Sequence, residues 1–229
     1  MKEDRGGAFF PILINVQKFP CLVVGGGEIA SRKITSLLEF NANITVLAPK
    51  ISPSIEELHR KGKIKVIKHS YSREFLHGFK IVFCATNNHQ LNQSVYDDCE
   101  KEGIFINVAD NPPLCDFILP ANIKRGDLSI SISSQGKAPF YTRIMKKKLE
   151  HFVSPIHAEI IRLAGEFRKQ LLTKTSELSD FGSKQNTDKI KAKMFKKFAS
   201  VDWEKNLSQN GVKSSQHYVK KMLKEINSL

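Results

Sequence analysis

Between Cys21 and Ala30 the chain reads CLVVGGGEIA. Gly25, Gly27 and Ala30 satisfy G-x-G-x-x-A, one of the two accepted forms of the dinucleotide-binding fingerprint. Gly25 permits a tight turn, and Gly27 lacks the Cβ that would hold the backbone away from a pyrophosphate. Ala30 lets the following helix lie close to its strand. A helix opening near Glu28 turns its free N–H groups and positive dipole end toward that phosphate. The same spacing also suits a glycine-rich turn in another α/β domain. Position favours the cofactor, because the turn follows the first strand pattern and opens the first helix pattern.

Two further groups of polar residues stand at the ends of apolar runs. Thr86, Asn87 and Asn88 close KIVFCATNN, and Asp110 closes IFINVAD. Doubly wound sheets hold their ligands outside the carboxyl ends of the strands. Thr86, Asn87 and Asn88 can therefore hydrogen-bond a nicotinamide, or equally cap the helix that follows. Asp110 can take a proton, or it can cap the turn into Asn111-Pro112-Pro113. One expected acid is missing: NITVLAPK ends in Ala48-Pro49-Lys50 rather than Asp or Glu. Either Lys50 meets a 2′-phosphate or backbone groups hold the ribose, so this pattern leaves NAD and NADP both open.

The elements that must position these residues follow from hydrophobic periodicity. CLVVGG, NITVLAP, KIKVIKHS, KIVFCAT and IFINVAD read as five strands. They are separated by EIASRKITSLLEF, a helix begun by Ser52-Pro53, the short REFLHG, and HQLNQSVYDDCEKEG. Continuous apolar strands alternating with helices predict an α/β, Rossmann-type parallel sheet buried on both faces. FILPANIK and LSISISS flank Arg125-Gly126-Asp127, the pattern of an antiparallel hairpin. From about Ala138 the chain reads as helical, basic and interrupted by the polar stretch TKTSELSDFGSKQNTDK. The expected division is a dinucleotide-binding domain over 1–113, a small α+β segment over 114–150, and a helical domain over 151–229.

The 229 residues carry 36 Lys and Arg against 23 Asp and Glu, a formal charge of +13, which suits a polyanionic partner. No nucleic-acid motif accompanies that charge, and the lysines of KIKAKMFKKF read as a solvated face or as a helix covering a site or meeting a second subunit. Cys21, Cys84, Cys99 and Cys115 are widely spaced without a C-x-x-C pair, the pattern of reduced thiols in a cytoplasmic protein. No signal peptide and no run of about twenty apolar residues is present, so no membrane association is expected.

Three stretches, FPILINVQKFPCLVVGGGEIASRKITSLLEFNANITVLAP, VFCATNNHQLNQSV and IFINVADNPPLCDFILPANIKRGDLSISISSQGKAP, together resemble the precorrin-2 dehydrogenase family of siroheme synthesis over roughly residues 8–155. That resemblance implies NAD-dependent oxidation of precorrin-2 to sirohydrochlorin, with Asp110 as general base or orienting partner. It implies cofactor contacts at Glu28, Ile29, Pro49 and Lys50, and argues for NAD despite the missing acid. Ser134 matches a position facing the tetrapyrrole, with Gly136 and Lys137 beside it to admit and neutralise a propionate; a plain flexible loop is the alternative. Asp116 ranks as a second acid or a turn stabiliser. A homodimer that exchanges the 114–150 segment is implied as well. Some family members also insert ferrous iron. For that step His89 and Cys115 are the candidates to face the metal, although no pair shows metal-ligand spacing and single His or Cys residues are more often structural. His151 and His157 read as solvated or core residues, and no resident metal is expected. The competing reading from another class is a non-catalytic NAD-sensing module, which has no need of the FILPA and SSQGKAP segments.

Overall fold

The computed structural model describes residues 9–179 and 184–228. The chain divides into two units, Met1–Leu119 with Gln135–Lys137, and Pro120–Ser134 with Ala138–Leu229. The 114–150 segment is shared between them.

The first unit holds a five-stranded parallel sheet of β1 (Cys21–Val24), β2 (Ile44–Leu47), β3 (Lys65–Ile67), β4 (Ile81–Cys84) and β5 (Phe105–Val108), in the order β3-β2-β1-β4-β5. All four pairings are parallel. Successive side chains of a strand point to opposite faces, so each apolar run feeds two cores. Cys21, Val23, Ile44, Val46, Ile81 and Phe83 pack with α1 (Glu28–Leu38) and α2 (Pro53–Arg60). Leu22, Val24, Leu47, Val82, Cys84 and Ile106 pack with α3 (His89–Glu102). Each fully buried aliphatic side chain contributes roughly 1.5–3 kcal/mol. Burial pushes the Cys21 thiol up to about 11 and the Cys84 and Cys99 thiols up to about 12, as inert core thiols should be. The strand order reverses between β1 and β4, which is where a doubly wound sheet opens its ligand crevice.

In the second unit β6 (Ala121–Arg125) and β7 (Leu128–Ile132) form the expected hairpin across Gly126-Asp127, with Gly126 at φ 58°. FILP, read with the first strand of this hairpin, lies ahead of it as irregular chain. Then come α4 (Pro139–Phe152), α5 (Ile156–Ser179), α6 (Lys184–Ala199) and α7 (Trp203–Lys224). The polar stretch TKTSELSDFGSKQNTDK proves helical on both sides of residues 180–183, which lie outside the described residues. Its threonines tolerate the helix by bonding backward: Thr175 Oγ1 donates to Leu171 O at 2.8 Å and Thr173 Oγ1 to Lys169 O at 3.1 Å.

Phe167, Phe198 and Trp203 stack at centroid distances of 4.7 and 4.5 Å, and the Trp203 indole N–H donates to Phe198 O. The apolar side of α6, Met194 and Phe198, is thus spent inside this bundle. Lys189, Lys193 and Lys196 lie on its exposed side. The solvated-face reading of the basic stretch is the one its packing fits.

Candidate active site

The glycine turn is built by steric necessity. Gly25 has φ 120°, and a Cβ there would lie 2.3 Å from Ala85 O, while one on Gly26 would lie 2.0 Å from Lys50 O. The turn is wedged between the ends of β2 and β4 and tied by Gly25 N to Leu47 O (3.0 Å) and Ser52 N to Gly26 O (2.7 Å). Gly27 differs: nothing lies within 4 Å of the place its Cβ would take. It is the N-cap of α1, has extended backbone and offers no side-chain cap. The first N–H groups of a helix have no partner within it, and beside them the place of a Gly27 Cβ is open. Ala30 is fully buried against the sheet. A dinucleotide pyrophosphate fits this arrangement, which leaves free the volume that any side chain at Gly27 would fill.

Beside the turn, at the carboxyl edge, lies a cavity of about 230 Å³. Ile29 lines it from α1, Thr86, Asn87 and His89 from the β4–α3 connection, and Asp110 from the turn after β5. Its volume suits one flat ring and is below the roughly 300–1,000 Å³ of pockets that swallow whole ligands. The fold therefore gathers Ile29, Thr86, Asn87 and Asp110 into one recess. Glu28 is exposed in the first turn of α1, and Pro49 and Lys50 are exposed past the end of β2. A groove of about 650 Å³ between α5 and α7 is larger, but it is an open channel lined by Lys169, Lys174 and Lys220. Its one acid, Glu166, is engaged by Arg162 at 2.6 Å, so the groove holds no free proton acceptor.

Asp110 has φ 56°, a left-handed conformation that aspartate tolerates better than most residues, and its carboxylate is exposed at the cavity. The chain then turns back so tightly that Asn107 and Cys115 form an antiparallel bridge. Asp116, offered above as a second acid, closes this loop instead: its Oδ2 accepts from Ile106 N at 2.9 Å. Cys115 is held the same way, with its sulfur 3.2 Å from Val108 N.

At the end of β4, Asn88 caps α3, its Oδ1 accepting from Leu91 N at 3.0 Å. Thr86 donates its hydroxyl proton to Asn92 Oδ1, while Asn92 Nδ2 donates to Thr86 O at 3.1 Å. Of this polar trio Asn87 makes no such local bond and is exposed in the recess. Ser134 Oγ accepts from Ala138 N at 2.9 Å and so closes the turn ahead of α4, while Lys137 is exposed. His151 is exposed, and His157 Nε2 stands 3.4 Å from Glu204 Oε1. Among the described residues no cluster of three His, Cys, Asp or Glu side chains is placed to hold a metal ion.

Three residues of the site escape motif reading. Gly26 falls on a free position of the fingerprint, yet is as sterically obligatory as Gly25. Asn92 lies on the buried stripe of α3 with Val95 and Cys99, and a polar residue at that spacing was the available signal. Lys33 borders the buried Ala30, Ile34 and Leu37 of α1, where a charge at the edge of an apolar stripe reads as solvated; its ammonium instead donates to Asn107 Oδ1 at 2.7 Å.

Two family models match the chain: "Putative NAD(P)-binding" over residues 12–121 and "Sirohaem biosynthesis protein central" over 125–151. A siroheme synthase of Psychrobacter sp. (strain PRwf-1) is 37% identical over 203 residues, covering 87% of this chain and 42% of that protein. One from Vesicomyosocius okutanii subsp. Calyptogena okutanii (strain HA) is 38% identical, covering 75% and 37% respectively. The chain thus spans about two fifths of the length of these curated relatives. The solved structure titled "SirC, precorrin-2 dehydrogenase" shares the fold, with a TM-score of 0.66 at 24% identity over 96% of this chain and 100% of that one.

Fold, turn and recess define a Rossmann-type NAD(P)-binding protein. The match continues through the central siroheme-biosynthesis region, past the dinucleotide-binding part. Over both matched regions the chain is similar to the siroheme synthases, of which it spans about two fifths.

Proposed function

We propose that this protein oxidises precorrin-2 to sirohydrochlorin with NAD⁺. The observation that carries this reading is the recess where one exposed carboxylate, Asp110, stands beside the glycine turn at the carboxyl edge of the sheet. The siroheme synthase relatives and the ordered motifs described above supply the substrate class. Two hydrogens leave the macrocycle, one as hydride and one as a proton. NAD⁺, when bound, accepts the hydride. The open face at Gly27 and the first N–H groups of α1 bind its pyrophosphate, and Asn87 orients the ring. Asp110, which lines the same recess, accepts the proton or orients the macrocycle nitrogens. The formal charge of +13 suits a substrate bearing eight carboxylates, and Ser134 and Lys137 meet its propionates. The free cysteines suit a reducing, cytoplasmic setting. Purified protein given precorrin-2 should form NADH and the sirohydrochlorin spectrum with NAD⁺. A protein that binds NAD⁺ and leaves precorrin-2 unchanged sinks this reading.

The same reading includes a homodimer assembled through the 114–150 segment. Helix α4 has no buried residue, and Phe140, Ile144 and Phe152 repeat along it at 64%, 46% and 76% exposure. An apolar stripe of that length in water calls for a partner. Sedimentation should give twice the 25.9 kDa chain mass. The pair Phe140→Asp and Ile144→Asp should return the protein to the monomer, and a wild type that sediments as a monomer at micromolar concentration excludes the dimer.

A further inference from the structure

Lys33 lies one helical turn beyond Ile29, a wall of the recess. It is half-buried, with Nζ 2.7 Å from Asn107 Oδ1 and 5.9 Å from the centroid of the Phe83 ring. Among the described residues no carboxylate oxygen stands within ion-pair distance of it. Holding an ammonium in such a place has a cost: burial pulls its pKa below the ordinary lysine value, while Cys115 and the Asp110 carboxylate pull it back up. A lysine needed for solubility alone would point into water, as the exposed lysines of α6 do.

What it holds is the root of the Asp110 turn. Asn107 is buried in β5 and is used on every side. Its Nδ2 donates to Phe117 O at 2.9 Å and reaches Cys115 Sγ at 3.5 Å, and its Oδ1 accepts a hydrogen bond from Lys33 Nζ. Cys115 in turn grips Val108 and Asn111, at 3.2 and 3.3 Å. The segment from 107 to 117 is thereby closed on itself, with Asp110 at its tip in the left-handed conformation. An unpaired Asn107 Oδ1 would leave a buried acceptor unsatisfied at the base of that loop.

We propose that Lys33 is a positioning residue for the reaction at Asp110: it anchors the turn through Asn107, and its charge offsets the substrate carboxylates that crowd the recess. This rests on the precorrin-2 reading given above. A fixed positive charge held partly desolvated behind the recess acts on a neighbouring carboxylate far more strongly than one in water.

The experiment compares Lys33→Met, Lys33→Gln and Lys33→Arg in the full chain. NAD⁺ binding, read by fluorescence titration, reports folding of the Rossmann unit, and steady-state kinetics follow with precorrin-2 and NAD⁺. Lys33→Met and Lys33→Gln should lower kcat roughly 10- to 100-fold. Their KM for NAD⁺ should stay within about twofold, and Lys33→Arg should keep kcat within about threefold, because the cofactor turn is untouched and the charge and donor are retained. A neutral variant whose kcat stays within about twofold of an active wild type overturns the proposal, and so does an arginine variant as impaired as the glutamine one. If Lys33→Met fails to bind NAD⁺, the glutamine variant, which is polar but neutral, and the arginine variant, which keeps charge and donor, decide the matter. A wild type that binds NAD⁺ but does not turn over removes the precorrin-2 reading first, and this proposal with it.

Discussion

Asp110→Asn is expected to abolish precorrin-2 oxidation while leaving NAD⁺ binding and thermal stability near wild type. A positioned general base contributes roughly a hundred- to ten-thousand-fold. Its loss should therefore appear almost wholly in kcat, about 3–5 kcal/mol of transition-state stabilisation. Asparagine is the informative replacement. At φ 56° the backbone is left-handed, and asparagine accepts that conformation about as readily as aspartate. Asp110→Ala adds a backbone penalty of about 1 kcal/mol and can loosen the turn, so a loss of activity in alanine alone would not separate chemistry from strain. The carboxylate makes no structural hydrogen bond of the kind that occupies Asp116, whose Oδ2 accepts from Ile106 N. Neutralising Asp110 should therefore cost little stability, whereas Asp116→Asn should cost more stability than activity. An Asp110→Asn enzyme retaining a tenth or more of wild-type kcat rules out the proton-accepting role.

The glycine turn gives the second large effect, and it separates two uses of glycine within three residues. Gly26→Ala places a methyl 2.0 Å from Lys50 O and 3.0 Å from both the Ala48 Cβ and the Ile51 Cα. A backbone carbonyl cannot swing aside, and this one belongs to a connection already tied by Ser52 N to Gly26 O. The β2–α2 link must shift as a body. The expected cost is about 2–4 kcal/mol, which for a chain of this size lowers Tm by roughly 5–15 °C, and NAD⁺ affinity falls as Pro49 and Lys50 move. Gly27→Ala meets nothing within 4 Å and sits at an ordinary φ of −90°. Its stability cost should stay near 1 kcal/mol, the difference between glycine and alanine at an N-cap. NAD⁺ affinity should nevertheless drop at least roughly tenfold, because the methyl takes the pyrophosphate's place. Calorimetric melting with an NAD⁺ titration of each variant reads both quantities. A Gly27→Ala protein that binds NAD⁺ like wild type would put the phosphates elsewhere.

These contrasts show where sequence reading stopped. The fingerprint treats Gly25 and Gly27 as a pair and Gly26 as free. Folded, Gly25 and Gly26 answer to steric contact with Ala85 and Lys50, residues 60 and 24 positions away, and only Gly27 faces open space. The polar residues after β4 show the same limit. Helix caps and ring contacts draw on the same residue types, so sequence left Thr86, Asn87 and Asn88 equivalent. In the fold Asn88 caps α3, Thr86 lines the recess with its hydroxyl committed to Asn92, and Asn87 lines it without such a local bond.

What the sequence determined by itself is what periodicity and backbone stereochemistry encode locally. Five apolar runs separated by helical spacings specify a parallel sheet buried on both faces, and glycine at a strand-to-helix turn marks its ligand-binding edge. The Gly126-Asp127 reversal and the helical character of the second unit were equally local, although the polar stretch around 173–189 was underestimated because backward hydroxyl bonds are invisible to composition. Tertiary structure alone decided which side chains keep their chemistry free. Lys33 and Asn107 are 74 residues apart and come within 2.7 Å only because α1 packs on β1 and β4, so that the long Lys33 side chain passes the Phe83 ring of β4 to reach β5. Asp110 and Asp116, two acids of one type six positions apart and both exposed, part ways for the same reason: the returning chain commits the Asp116 carboxylate to Ile106 N at the sheet edge and leaves that of Asp110 at the recess. Hydrogen-bond satisfaction and steric exclusion act between neighbours in space, and no spacing along the chain records them.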